Sequence, residues 1–236
     1  MIDRQTLKEK SSLWGVSLSE DQLDLFDTYA TLLVEWNQKI NLTSIVDPAE
    51  IVTKHFEDCL SFLNFVFISQ GATVIDVGTG GGFPGMVLKI ARPDIQLTLL
   101  DSLNKRINFL NLVSHDLDLE VNAVHFRAEE AAINRQFREQ FDIACARAVS
   151  NLRSLAEYCI PFVKVGGQFV SMKGPAITEE LTSARPGIGT LGGKVASVYE
   201  YVLSDGSGRS LVCIDKIRET PPQFPRSSAK IQKKPL

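Results

Sequence analysis

Five glycines fall within the eight residues from Gly78 to Gly85, in the segment Asp76-Val77-Gly78-Thr79-Gly80-Gly81-Gly82-Phe83-Pro84-Gly85. The run before it, Thr73-Val74-Ile75-Asp76-Val77, is β-branched and apolar. Residues 86–91 after it have helical character and stop at Arg92-Pro93. A strand that turns on glycines directly into a helix is the opening of a β-α-β unit. Glycines allow positive φ and let a ligand approach the backbone without a Cβ in the way. A tight turn with no ligand is the plainer alternative.

The same grammar repeats downstream. Residue patterns predict strands over 96–100, 121–126, 141–146 and 168–172, and helices over 105–114, 129–137 and 151–163. This alternation implies a parallel sheet with helices on both faces. A stretch rich in glycine and proline, 175–193, precedes two further strands, 194–203 and 209–215. Asp205-Gly206-Ser207-Gly208 between them is a hairpin turn signal. The first third is helical instead. Ser19-Glu20-Asp21-Gln22 fits a capping box, and Leu23, Phe26, Tyr29, Leu33 and Trp36 follow at helical spacing. Asp47-Pro48-Ala49-Glu50 starts a second helix that runs to about residue 65. The expected organisation is a helical extension over 1–68 packed on a core over 69–216, with a basic tail over 217–236.

The 236 residues are 44% hydrophobic and 22% charged, which fits a globular chain and excludes collagen or bulk disorder. The most apolar stretch, 60–68, is interrupted by Ser61 and Asn64 and is too short for a membrane span. No secretory segment opens the chain, so a cytoplasmic location is expected. Cys59, Cys145, Cys159 and Cys213 form no C-x-x-C pair, and His55, His115 and His125 have no ligand spacing. No metal is therefore expected, and the thiols are expected to be buried and free. From Lys216 onward six basic residues face one acid, Glu219, so the body is more acidic than the net charge of −3. A basic tail suits an anionic partner, or is simply solvated.

Two ligands compete for the glycine loop. Gly80-x-Gly82-x-x-Gly85 matches the dinucleotide fingerprint, with Asp101 about 20 residues on as its ribose acid. Asp76, however, lies at the end of the strand ahead of the first glycine, where a carboxylate would repel a pyrophosphate. It suits a cationic, phosphate-free ligand, and S-adenosylmethionine carries both an ammonium and a sulfonium. Asp101 then becomes the partner of the ribose hydroxyls, or else caps the next helix. Arg127-Ala128-Glu129-Glu130 lies at the same sheet edge, to read the adenine or to complement a helix dipole.

The pattern D-x-G-x-G-x-G over Asp76–Gly82 resembles the loop of class I methyltransferases. Trp36-Asn37-Gln38-Lys39-Ile40-Asn41-Leu42-Thr43, Lys54-His55-Phe56-Glu57-Asp58, the Phe83-Pro84-Gly85 continuation, Asp101-Ser102-Leu103-Asn104-Lys105-Arg106, Ala146-Arg147-Ala148-Val149 and Lys173-Gly174 narrow this further. With Pro225-Arg226 and Lys233-Lys234-Pro235-Leu236, they make the chain similar to the RsmG (GidB) family from about residue 36 onward. The resemblance implies an α/β class I S-adenosylmethionine-dependent methyltransferase, a Rossmann-like sheet with an N-terminal helical extension. It implies methyl transfer to nitrogen 7 of a guanine in 16S rRNA, as naked RNA or in the 30S particle, and a monomer is expected. It assigns cofactor contacts to Gly78, Phe83, Ala128, Glu129 and Arg147, beside Asp76, Gly80 and Asp101 from the loop and strand pattern.

Guanine nitrogen 7 is unprotonated at neutral pH, so attack on a sulfonium methyl needs no general base. Catalysis by positioning is expected, with Arg147 as the residue where substrate and cofactor meet. Alternatively Arg147 forms a salt bridge with Asp76 or Asp101. His55 either borders the substrate cleft or has a structural role. The tail, with Lys39, Lys54, Lys105, Arg106 and Lys173, is the candidate phosphate track. A nicotinamide oxidoreductase and a non-catalytic RNA-binding or ribosome-assembly factor stay open.

Overall fold

The computed structural model describes residues 1–147 and 150–236. Helices α1 (Arg4–Leu13) and α2 (Glu20–Asn37) lead, and α2 carries the Ser19/Gln22 capping box. The expected helix after Asp47 is a composite of α3 (Pro48–Glu50), a π-helical run Ile51–Glu57, α4 (Asp58–Leu60) and α5 (Phe62–Phe65). Then β1 (Thr73–Val77), α6 (Gly85–Ala91), β2 (Gln96–Asp101), α7 (Asn104–Asp116), β3 (Val121–His125) and α8 (Ala128–Ala131) alternate. They are followed by β4 (Phe141–Arg147), α9 (Leu152–Cys159), β5 (Val163–Lys173), α10 (Thr178–Thr190), β6 (Gly193–Val202), β7 (Gly208–Lys216) and α11 (Ser228–Lys233).

The seven strands form one sheet in the order β3-β2-β1-β4-β5-β7-β6. The first five are parallel, and β7 runs antiparallel to both its neighbours. Strand β1 pairs with β2 on one side and β4 on the other, so the order reverses there. Ligands of open α/β sheets bind at that reversal, outside the carboxyl ends of the strands. Val77, Asp101 and Arg147 all end their strands at this edge.

Alternate side chains feed two cores. Val74, Leu99 and Cys145 join Leu23, Phe26, Leu33 and Phe56 of the N-terminal helices on one face. Ile75, Leu100 and Ala144 join Leu152, Leu155 and Ile188 on the other. Burying the α2 stripe is therefore what fixes the first third of the chain to the sheet.

Two expectations needed correcting. The glycine- and proline-rich stretch holds the 13-residue helix α10, in spite of Pro186. Buried Leu181, Ala184 and Ile188 give it an apolar face, so tertiary burial overrides poor local propensity. Conversely, the helix expected over 129–137 ends at Ala131. Asn134 Oδ1 accepts the Gln136 N–H at 3.0 Å, a local turn that competes with helix.

Candidate active site

The glycine loop closes on itself through Asp76. This carboxylate is fully buried, and its Oδ2 accepts Thr79 Oγ1 at 2.7 Å and the Gly85 N–H at 2.8 Å. Burial pushes its pKa up to about 6, against the pull of those two bonds and of Arg147. Asp76 lines neither of the two cavities beside the loop, and its bonds to Thr79 and Gly85 shape the turn. The backbone N–H groups of Gly78 and Thr79 go to the Leu100 carbonyl, and that of Gly80 to Asp101 Oδ2. Those of Gly82 and Phe83 go to the Thr79 carbonyl. Gly81 N–H alone in this stretch has no acceptor among the described residues.

Two cavities flank the loop and share Gly78 and Arg106. The second, about 370 Å³, is lined by Asp101, Phe126, Ala128, Glu129, Tyr158 and Gln232. Asp101 does not cap α7, whose N-cap position is Leu103. It accepts the Leu103 N–H on Oδ1 at 2.9 Å, and on Oδ2 the Gly80 N–H at 2.9 Å and Arg106 at 3.2 Å. A carboxylate offers about four acceptor positions, so three are in use.

The first cavity, about 520 Å³, is lined by Gly80, Gly81, Phe83, His55, Asp58, Arg147 and Arg209. Arg147 donates to Asp58 Oδ2 at 2.9 Å, to the Lys54 carbonyl at 3.0 Å and to His55 Nδ1 at 2.9 Å. Its guanidinium lies 4.9 Å from the Phe83 ring centroid. The salt bridge is thus to Asp58, not to Asp76 or Asp101. The π-helical run supplies Lys54 and His55, and Asp58 opens α4 directly after it: a π turn departs from the regular helical ladder, and here the Lys54 carbonyl accepts from a side chain. Arg147 is an obligate donor, so His55 Nδ1 is the acceptor and Nε2–H donates to Thr43 Oγ1 at 2.8 Å. Burial, with Arg147 adding to it, holds the His55 pKa down at about 3, so the ring is neutral. It stacks on Phe83 at 4.3 Å between centroids. His55 borders the cleft as well as buttressing it.

Asp58 and Arg209 were not singled out from the sequence. Asp58 lies within the Lys54–Asp58 marker, and Arg209 Nε approaches its Oδ1 at 3.2 Å from the β6–β7 hairpin. Ala148 and Val149 of the Ala146–Val149 marker lie outside the described residues.

The basic residues of the expected phosphate track divide into paired and exposed groups. Lys216 is buried against Glu139, and Arg226 is paired with the buried Glu157. Lys173 is paired with Glu180, Lys54 with Glu50 and Arg106 with Asp101. Lys105, Lys230, Lys233 and Lys234 are exposed, as is Lys39, which lies over Trp36. Among the described residues no cluster of three or more His, Cys, Asp or Glu suits a metal, and no helix is long and apolar enough to cross a membrane. The four thiols are buried and free.

A family model described as GidB, rRNA small subunit methyltransferase G, matches residues 22–207. The chain is 49% identical over 232 residues to the ribosomal RNA small subunit methyltransferase G of Clostridium perfringens strain 13, covering 98% of this chain and 97% of that protein. Among solved structures, it is similar to a branched-chain polyamine synthase mutein from Thermus thermophilus in complex with N4-aminopropylspermidine and 5'-methylthioadenosine. There the TM-score is 0.59 at 11% identity, over 81% of this chain and 64% of that one. A putative methyltransferase from Bacillus halodurans matches with TM-score 0.50 at 13% identity, over 68% of this chain and 98% of that one. At these identities the structural likeness shows the class I methyltransferase fold alone.

Proposed function

The chain belongs to the rRNA small subunit methyltransferase G family, GidB, and on that premise we propose that it transfers a methyl group from S-adenosylmethionine to nitrogen 7 of a guanine in 16S rRNA. The observation that carries this reading is the meeting of two chemically different cavities at Gly78 and Arg106. One combines Asp101 and Glu129 with the apolar Phe126 and Ala128, which suits a nucleoside. The other joins Gly81 N–H, a donor for a carboxylate, to the Phe83–His55–Arg147 cluster. S-adenosylmethionine, when bound, supplies an electrophilic sulfonium methyl.

The protein's own work is positioning. Asp101 would hold the ribose hydroxyls, with Arg106 turning away to release Oδ2. Ala128 and Glu129 would meet the adenine. Arg147, held by Asp58 and His55, would orient the guanine for attack from nitrogen 7, and no residue has to take a proton. Asp76 acts beneath the loop as a fixed negative charge in a dry setting. A dinucleotide fits less well. The Gly85 N–H at the start of α6, which would face a pyrophosphate, is taken by Asp76. The exposed lysines Lys39, Lys105, Lys230, Lys233 and Lys234 are the candidate phosphate contacts, and the site works on the cytoplasmic 30S particle or its RNA.

Incubation with methyl-labelled S-adenosylmethionine should label 16S rRNA, whereas NAD should neither bind nor compete. Label absent from both RNA and 30S particles would end this reading. The single-turnover rate is expected to be flat from about pH 7 to 9, because His55 titrates near pH 3 and nitrogen 7 needs no base, and to fall around pH 6 as Asp76 takes up a proton. A rising limb near pH 7 to 8 would reveal a titrating base and contradict the mechanism.

A further inference from the structure

We propose that the C-terminal segment is a wall of the cofactor cleft, with Gln232 contacting the adenosine, in addition to carrying basic charge for RNA. This rests on the assignment of the second cavity to S-adenosylmethionine. The composition of the tail suggests a loose basic arm, but its contacts are those of a built element. Arg226 grips the fully buried Glu157 of α9 with Nε at 2.8 Å and Nη2 at 2.6 Å. Arg153, also on α9, donates to the carbonyls of Pro235 and Leu236, each at 2.6 Å. Ile231 is fully buried, and a Cβ on Gly187 of α10 would come within 2.7 Å of the Leu236 Cβ. Anchored at both ends and in the middle, α11 is held against the edge of the second cavity.

Ser228 and Gln232 of α11 line that cavity together with Tyr158 of α9. They lie one helical turn apart and form a chain of polar contacts. Gln232 Nε2 donates to Ser228 Oγ at 3.2 Å, and Ser228 Oγ lies 3.1 Å from Tyr158 Oη. The serine thereby orients the carboxamide, whose oxygen has no partner among the described residues. That oxygen is an acceptor from a residue that lines the same cavity as Phe126, Ala128 and Glu129. The exocyclic amine of adenine has two N–H donors, one more than Glu129 needs to receive. The exposed Lys230, Lys233 and Lys234 point the same short segment toward polyanions. One element then bounds the cofactor and meets the RNA.

Calorimetric titration of S-adenosylhomocysteine into wild type, Gln232→Ala and the triple variant Lys230→Ala/Lys233→Ala/Lys234→Ala separates the roles. Gln232→Ala is expected to weaken binding about tenfold at an unchanged Tm, since Gln232 is exposed. The lysine variant should bind the cofactor product within about twofold of wild type and lose affinity for a 16S rRNA fragment. Wild-type affinity in Gln232→Ala would overturn the proposal, as would an equal loss of cofactor affinity in the lysine variant, which would make the effect one of charge. Failure of the wild type itself to bind would instead overturn the cofactor assignment beneath it.

Discussion

Replacing Arg147 by alanine is expected to lower methyl transfer at least ~100-fold while the protein stays folded. The reason is geometric. The guanidinium is fixed by Asp58, the Lys54 carbonyl and His55, and lies over Phe83, so it presents one orientation to the cavity. Displacing a reacting group by about 1 Å costs on the order of 100-fold, and alanine removes the positioning group altogether. The stability cost is smaller than for an isolated buried pair, about 1–3 kcal/mol. Asp58 keeps Arg209 at 3.2 Å, so no lone buried carboxylate remains. Lysine would rescue poorly, because one ammonium cannot satisfy three acceptors in a plane. Activity within about threefold of wild type at equal Tm would remove Arg147 from the site.

Gly82→Ala is expected to cost roughly 2–6 kcal/mol of stability, from backbone strain and overpacking together. Gly82 has φ of +103°, where an L side chain is strained. An added Cβ would lie 2.5 Å from Tyr29 Oη, 2.8 Å from Met86 Cγ and 3.0 Å from Leu110 Cδ2. Tyr29 cannot retreat, since its hydroxyl donates to the Gly81 carbonyl and its ring packs against Phe56 and Phe83. For a chain of this size about 2–4 °C is lost per kcal/mol, so Tm should fall by about 4–24 °C. Gly80→Ala is the control. Its φ of +59° lies in the left-handed well, and an added Cβ meets nothing within 4 Å, so about 1–2 kcal/mol is expected. Equal melting points for the two variants would show that the space around Gly82 is not restricting.

The sheet was legible because its strands alternate with helices at short spacing and carry their own punctuation. Thr73–Val77 and the start at Gln96 are where local pattern put them. Helix α10 was hidden because Pro186, Gly187 and Gly189 argue against helix locally, and the burial that offsets them belongs to the tertiary structure. The site divided in the same way. Gly78, Gly80, Phe83, Asp101, Ala128, Glu129 and Arg147 converge on two joined cavities, as strand ends at one sheet edge should. What the residues touch was not legible. Arg147 meets Asp58, 89 positions away, and Arg226 meets Glu157, 69 positions away. Charge counting along the tail missed this, because neutralising partners such as Glu157 and Glu139 come from other elements.

The most direct test is chemical mapping of the product. Unmethylated 16S rRNA and 30S particles are incubated with enzyme and S-adenosylmethionine, then treated with borohydride and aniline, which cleave the chain at 7-methylguanine. One new cleavage site, absent with Arg147→Ala, is the predicted result. Methyl incorporation without any aniline-sensitive site would contradict it, placing the methyl group on an atom other than nitrogen 7.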